Sequence, residues 1–322
     1  MFKILIGLLM VFTLFSAETS CQKEKRNSMS QRAEEYIAAF KRGEDFRPPA
    51  KGVFINGQPD ESALQVLGSE LGRANADVRE NVVKLLVDMA QSSDPLSRQG
   101  AEVIRHKKIL ELLAGPGLSK PDLGRETAMD ALRKLATQSD LARFENEFTN
   151  ALAEEPTAEA FLLVAKAKSF KAKELVERLI ALPKWQEMEE ARIARAALGS
   201  KEDEDGYIAA ATAAKDGQSF ANAIGPLALM GTPASIRFIA EHLRTPLMIE
   251  IPGHGPGRSV KTARLNVLDA LVYNFPDQPV LYPNNINQDS DYRSAERFCT
   301  EILGVVYKEP PPPYFKYGNV PD

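Results

Sequence analysis

The sequence predicts an all-α fold made of short antiparallel helical hairpins. Three observations carry the prediction. Apolar residues recur at three- and four-residue spacing through most of 60–308, as in Val78, Val82, Leu85, Leu86 and Met89, which is the period of a helix with one buried face. The breaks between these segments are short and hold helix-stop and helix-start residues, so successive helices run antiparallel. The stretch 219–244 is a whole hairpin. Phe220, Ile224, Leu227 and Ala228 stripe a first helix and Gly231 stops it. Thr232 caps a second helix with Pro233 at its first position, and Ile236, Ile239 and Leu243 form its stripe. One such hairpin cannot bury its apolar face alone, so neighbours of the same kind are required.

The 322 residues suffice for one to three domains with a substantial core. A formal charge of -4 supplies no basic field for nucleic acid. The three histidines and two cysteines are scattered and make neither a disulfide framework nor a four-thiolate site; no cofactor and no metal is predicted. At the N-terminus, Lys3 precedes the apolar run Ile4 to Ala17, followed by small or polar residues through Ser20. That run is too short for an ordinary transmembrane helix and fits a secretory signal peptide over 1–20. Cys21 directly after Ser20 resembles a bacterial lipoprotein cleavage site, which implies lipidation of Cys21 and anchoring to the outer or inner membrane. Glu18 departs from that pattern by standing where an apolar residue belongs.

Residues 21–59 read as a tether, a short helix over 31–42 carrying Ala33, Tyr36, Ile37 and Phe40, and an irregular linker in which Val53 to Ile55 could pair as a strand. The repeat region 60–308 opens with a helix over 61–71 (Leu64, Leu67, Leu71) and another over 77–90 with Asp77 as its cap. Asp94 and Pro95 start a third, which runs to about Leu113, and Gly115 to Asp122 interrupts the series. Helices are then predicted near 124–138, 140–153, 157–168, 171–182 and 185–198, with stripes such as Phe144, Phe148 and Leu152, then Leu175, Leu179 and Leu182. Lys201 to Asp205 reads as a charged turn before a helix over 206–216. After the 219–244 hairpin, Leu247 to Ile251 could be extended and Pro252 to Gly257 is a Gly/Pro loop. A helix over 259–274 places Val260, Ala263, Val267 and Leu271 inside, and a last helix spans 291–307. The tail 309–322 begins with the extended polyproline run Pro310 to Pro313.

The residues Ala223 to Leu243, with Gly231, Thr232 and Pro233 at the turn, resemble the helix–turn–helix unit of HEAT-type repeats. Asp77, Val78, Arg79, Val82 and Leu85, and then Val260, Lys261, Ala263, Val267 and Leu271, are similar to starts of that family's inner helices. The resemblance implies an alpha-alpha superhelix, a HEAT-like solenoid of irregular repeats that offers an extended concave binding face. Periodicity by itself also allows a compact bundle of the same hairpins.

No Walker, dinucleotide, zincin or nucleophile-elbow spacing occurs. His254 inside its Gly/Pro loop, with Arg258 beyond it, could present backbone N–H groups and a cation to an anion, although a connecting loop explains the glycines as well. Trp185 beside Met188 is either an exposed anchor or, with Leu182, a core contact at a helix start. His106, among Arg105, Lys107 and Lys108, reads as solvated surface, and His242 as a structural histidine. Asp277, Asp289 and Asp291 are turn formers before they are a metal cluster. Tyr314, Phe315 and Tyr317 either pack back on the last helix or are offered to a partner. The expected function is an exported non-enzymatic binding or scaffolding protein for a protein or peptide partner in the bacterial envelope, periplasmic or lipid-anchored. One form of this is a toxin-immunity or inhibitor protein, and the rival is an envelope enzyme with a loop pocket around His254.

Overall fold

The computed structural model describes residues 30–48, 54–55, 58–59, 61–91, 101–251, 259–276, 278–281 and 289–308, which are almost entirely helical. Many short helices stack on one another, so the chain is all-α. Among the described residues the exceptions are two small antiparallel hairpins, β1 (Phe54–Ile55) with β2 (Gln58–Pro59) and β3 (Met248–Ile251) with β4 (Ser259–Thr262). The chain divides into two compact units after Leu135.

In the first unit, α1 (30–41) buries Ala33, Ile37 and Phe40, and Phe46 closes an edge-on aromatic contact with Phe40. α2 (Glu61–Arg73) buries Leu64, Leu67 and Leu71 as its spacing requires. α3 (Ala76–Gln91) is capped by Asn75, whose side-chain oxygen accepts the Val78 N–H at 3.0 Å; Asp77 lies inside the first turn and is not the cap. α4 (Ala101–Leu112) does not stop at Gly115 but widens into a π-helical turn, Leu113–Gly117, around Pro116. α5 (Leu123–Leu135) then packs on α3. The fully buried Arg79 of α3 holds this corner together. Its Nε donates to Asp122 at 2.8 Å, Nη1 to the Leu71 and Pro116 carbonyls, and Nη2 to the Gly117 carbonyl at 2.9 Å.

The second unit begins with α6 (Gln138–Leu141), closed by a capping box between Thr137 and Asp140, then a 3-10 turn and α7 (Glu145–Glu154). The single helix expected over 140–153 is therefore two pieces, although Phe148 and Leu152 are buried as expected. α8 (Ala158–Ala167) is buried from Ala160 through Ala165, nearly all round, because α7, α11 and α13 all pack on it. α9 (Phe170–Ile180) and the single turn α10 (Pro183–Gln186) lead to α11 (Glu189–Ala197), α12 (Lys201–Ala213), α13 (Gly217–Met230) and α14 (Pro233–Glu241). After β3 and β4 come α15 (Arg264–Asn274) and α16 (Asp289–Glu301). α8, α11, α13 and α15 pack in succession, while α7, α9, α12 and α14 lie against them. Ala191, Ala194, Ala196 and Ala197 of α11 lack bulk, which lets α8 come close.

Three expectations are corrected here. α9 buries Ala172, Val176 and Ile180, a register away from the expected leucine stripe, and Leu182 is exposed. Lys201 to Asp205 is the first turn of α12, not a turn before it. Asp203 pairs with Arg195 at 2.6 Å, and Thr232 donates its hydroxyl proton to the Glu204 carboxylate, so this charge run is half structural. Val260 pairs with Glu250 in β4, and the helix starts only at Arg264. The 219–244 hairpin keeps its expected punctuation. Gly231 is left-handed at φ 55, Thr232 accepts the Ser235 N–H at 3.1 Å, and α13 runs through Pro226.

The β3–β4 hairpin leans on the start of α13. A Cβ at Gly217 would overlap the Met248 carbonyl, which is backbone and cannot swing aside. Gly217→Ala is expected to cost about 1–3 kcal/mol and to accelerate amide exchange across β3 and β4. Gly206, in α12, has open space where its Cβ would go, so Gly206→Ala is expected to add about 0.5–1 kcal/mol. Denaturant midpoints and hydrogen exchange of the two variants check the opposite signs.

At the end of the unit, Glu296 of α16 sits between two guanidiniums. Arg264 donates to it at 2.9 Å and Arg244 at 2.8 Å, while Arg264 also donates to the Leu243 carbonyl at 2.7 Å. Tyr292 and Tyr307 lie against the faces of these arginines, and the Tyr307 hydroxyl reaches the Ala240 carbonyl at 2.9 Å.

Candidate functional site

Five turns of the second unit meet around a cleft of about 710 Å³. Its walls come from the start of α6, the α8–α9 turn, the α13–α14 turn and the end of α15 with the residues after it. The local chemistry of the turns explains its shape. Lys168 ends α8 in the left-handed conformation at φ 51, the one described residue other than glycine with a positive φ. A lysine costs more there than glycine or asparagine would. Its side chain supplies a reason: the ammonium donates to the carbonyl of Gly231, itself the left-handed end of α13. Two helix ends are thereby tied by one side chain. Burial lowers the Lys168 pKa, with the Glu204 carboxylate acting in the opposite direction.

The α9 side of the cleft is built on a carboxylate. Ser169 caps α9, and its hydroxyl donates to Glu145 at 2.6 Å; the Lys171 N–H and ammonium approach the same carboxylate at 3.4 and 3.5 Å. That Ser169 bond, helped by Lys171, holds Glu145 below the ordinary carboxylate pKa. Opposite, Asn274 donates to the Ala228 and Ala270 carbonyls at 3.1 and 2.9 Å, and its Oδ1 leaves no room for a Cβ on Gly231. Lys166 lies over the Tyr273 ring at 4.3 Å. Phe170, at the first position of α9, is 79% exposed at the rim. The cleft can hold a ligand by shape, apolar contact and charge.

Several residues singled out in the sequence stand elsewhere. Cys21, His254, Arg258, Tyr314, Phe315 and Tyr317 lie outside the described residues, as do the side chains of Asp277, Asp289 and Asp291. Trp185 is 8% exposed and packs on Phe161 with ring centroids 6.0 Å apart, the core alternative for that residue. His106 is half-buried, with Nε2 3.3 Å from the Leu135 carbonyl, and is not the solvated residue its basic neighbours suggested. His242 stacks on Phe238, and its Nδ1 lies 2.8 Å from the Phe238 carbonyl. Among the described residues no group of three or more His, Cys, Asp or Glu could hold a metal ion, and no helix is long and apolar enough to cross a membrane.

The sequence reading missed the cleft. One signal was present: Phe170 follows the cap Ser169 but sits two residues ahead of the buried stripe that starts at Ala172, an apolar residue that the helix core does not use. Lys168 gave no such signal, because its partner is 63 residues away. No family model, curated protein or solved structure matches the chain.

Proposed function

We propose that this chain is an exported, non-enzymatic binding protein on a HEAT-like repeat scaffold, which holds a segment of a partner protein in the cleft of its second unit. The observation that carries the reading is Phe170, a large aromatic side chain 79% exposed at the rim of a cleft. Apolar anchors beside a concavity are where binding energy concentrates in protein interfaces. The engagement of Glu145 by Ser169 and of Lys168 by Gly231 supports binding over catalysis, because these groups serve to fix the walls. The HEAT-like assignment rests on the Gly231–Thr232–Pro233 turn and the stacked helices around it. Export, and anchoring through a lipid on Cys21 in the cell envelope, rest on Lys3, the apolar run Ile4 to Ala17 and Cys21.

The test is photo-crosslinking in cells with the full chain. A benzophenone amino acid at position 170 is expected to trap a discrete polypeptide. The same group at Asp205, exposed on α12 away from the cleft, is expected to trap none. No adduct from position 170, or the same adduct from both positions, would sink the reading.

A further inference from the structure

The α8–α9 turn gives the partner's chemistry. Lys166, Lys168, Lys171 and Lys173 surround Phe170 within eight residues of sequence, Lys166 to Lys173. The first two line the cleft and the other two are exposed beside it. The charged groups in the lining are Lys166, Lys168 and Glu145, and the glutamate is already bound to Ser169 and Lys171. Glu174 and Glu177 stand further along α9, outside the lining. The turn therefore receives one carboxylate from its own chain, through a hydroxyl, a backbone N–H and an ammonium, and keeps two further ammonium groups inside the concavity. Resting on the cleft reading above, we infer that the bound segment is acidic and carries a large apolar side chain: carboxylates facing Lys166 and Lys168, the apolar group against Phe170. Opposite charge across such a rim sets specificity and association rate more than total affinity, and the apolar contact supplies the anchor.

Panning random-peptide phage on the full chain tests this. Enriched peptides are expected to combine aspartate or glutamate with a large apolar residue. Their binding is expected to weaken about tenfold in Lys166→Glu or Phe170→Ser, each checked for folding by circular dichroism, and to fall with rising salt. Enrichment of neutral or basic peptides, or affinity unchanged by Lys166→Glu and by salt, overturns the inference. So does Phe170-dependent binding to phosphatidylglycerol–phosphatidylcholine vesicles with no peptide enriched, which would assign the basic rim to a membrane surface. No enrichment alongside a crosslink from position 170 overturns the acidic chemistry and leaves the cleft reading standing. No enrichment and no crosslink overturns both.

Discussion

Arg79→Met is expected to lower the stability of the chain by roughly 3–5 kcal/mol, among the largest effects of any single change in the first unit. The guanidinium is fully buried and answers four groups at once: the Asp122 carboxylate and the carbonyls of Leu71, Pro116 and Gly117. Methionine fills similar volume but donates nothing, leaving three acceptors and a charge without their donor. The π-helical turn depends most on it, because two of those carbonyls belong to that turn. Arg79→Lys is expected to recover only part of the loss, since one ammonium cannot spread over the same fork of acceptors. Arg237→Met is the control: its pair with Glu241 is exposed on α14, and the change is expected to stay within about 0.5 kcal/mol. Denaturant unfolding followed by circular dichroism decides between them. An Arg79→Met protein as stable as the parent would mean the four contacts do not hold the corner.

Glu296→Leu is expected to have an effect of similar size in the second unit, about 3–5 kcal/mol. The substitution removes the carboxylate that Arg244 and Arg264 share and leaves two guanidiniums facing each other in a site where Arg264 is 5% exposed. Adding Arg264→Met is expected to restore part of the loss, because it removes one of the charges left facing each other. Cys299 gives a second readout. It lies one turn on in α16, fully buried, and burial raises its thiol pKa to about 11 while the Tyr307 hydrogen bond pulls the other way. In a Cys21→Ser background, Cys299 is expected to react slowly with maleimide at neutral pH and much faster after Glu296→Leu. Loosening α16 exposes the sulfur, and loss of the Glu296 charge also lowers its pKa. Unchanged labelling would show that α16 stays docked without this charge pair.

What the sequence disclosed follows the range of the interaction. The Gly231–Thr232–Pro233 turn was legible because each residue acts on its own backbone: a left-handed end, a cap and a first-turn proline. The Lys201 to Asp205 run was misread although a local signal was there, since Ser200 precedes Asp203 at capping-box spacing and carboxylates suit a helix start. Val260 was misplaced because Val267 and Leu271 carry on the helical period beyond it, while β-pairing with Glu250 depends on a partner across a loop. The leucines of α9 misled for a simpler reason: smaller Ala172 and Val176 are the residues that fit against the packed neighbours. The cleft was illegible because its walls belong to turns distant in sequence, and a period along one helix contains no information on which ends will meet.

The bond from Lys168 to Gly231 also sets a time. It joins residues 63 apart, and the cleft is finished only by residues as late as Gln278. A chain growing from its N-terminus completes α6 to α9 with Phe170 on their surface and no opposite wall to set beside it. Whatever partner the protein holds can therefore be held only after nearly the whole second unit has been made and folded, so a chain cut short before α15 is released without a grip.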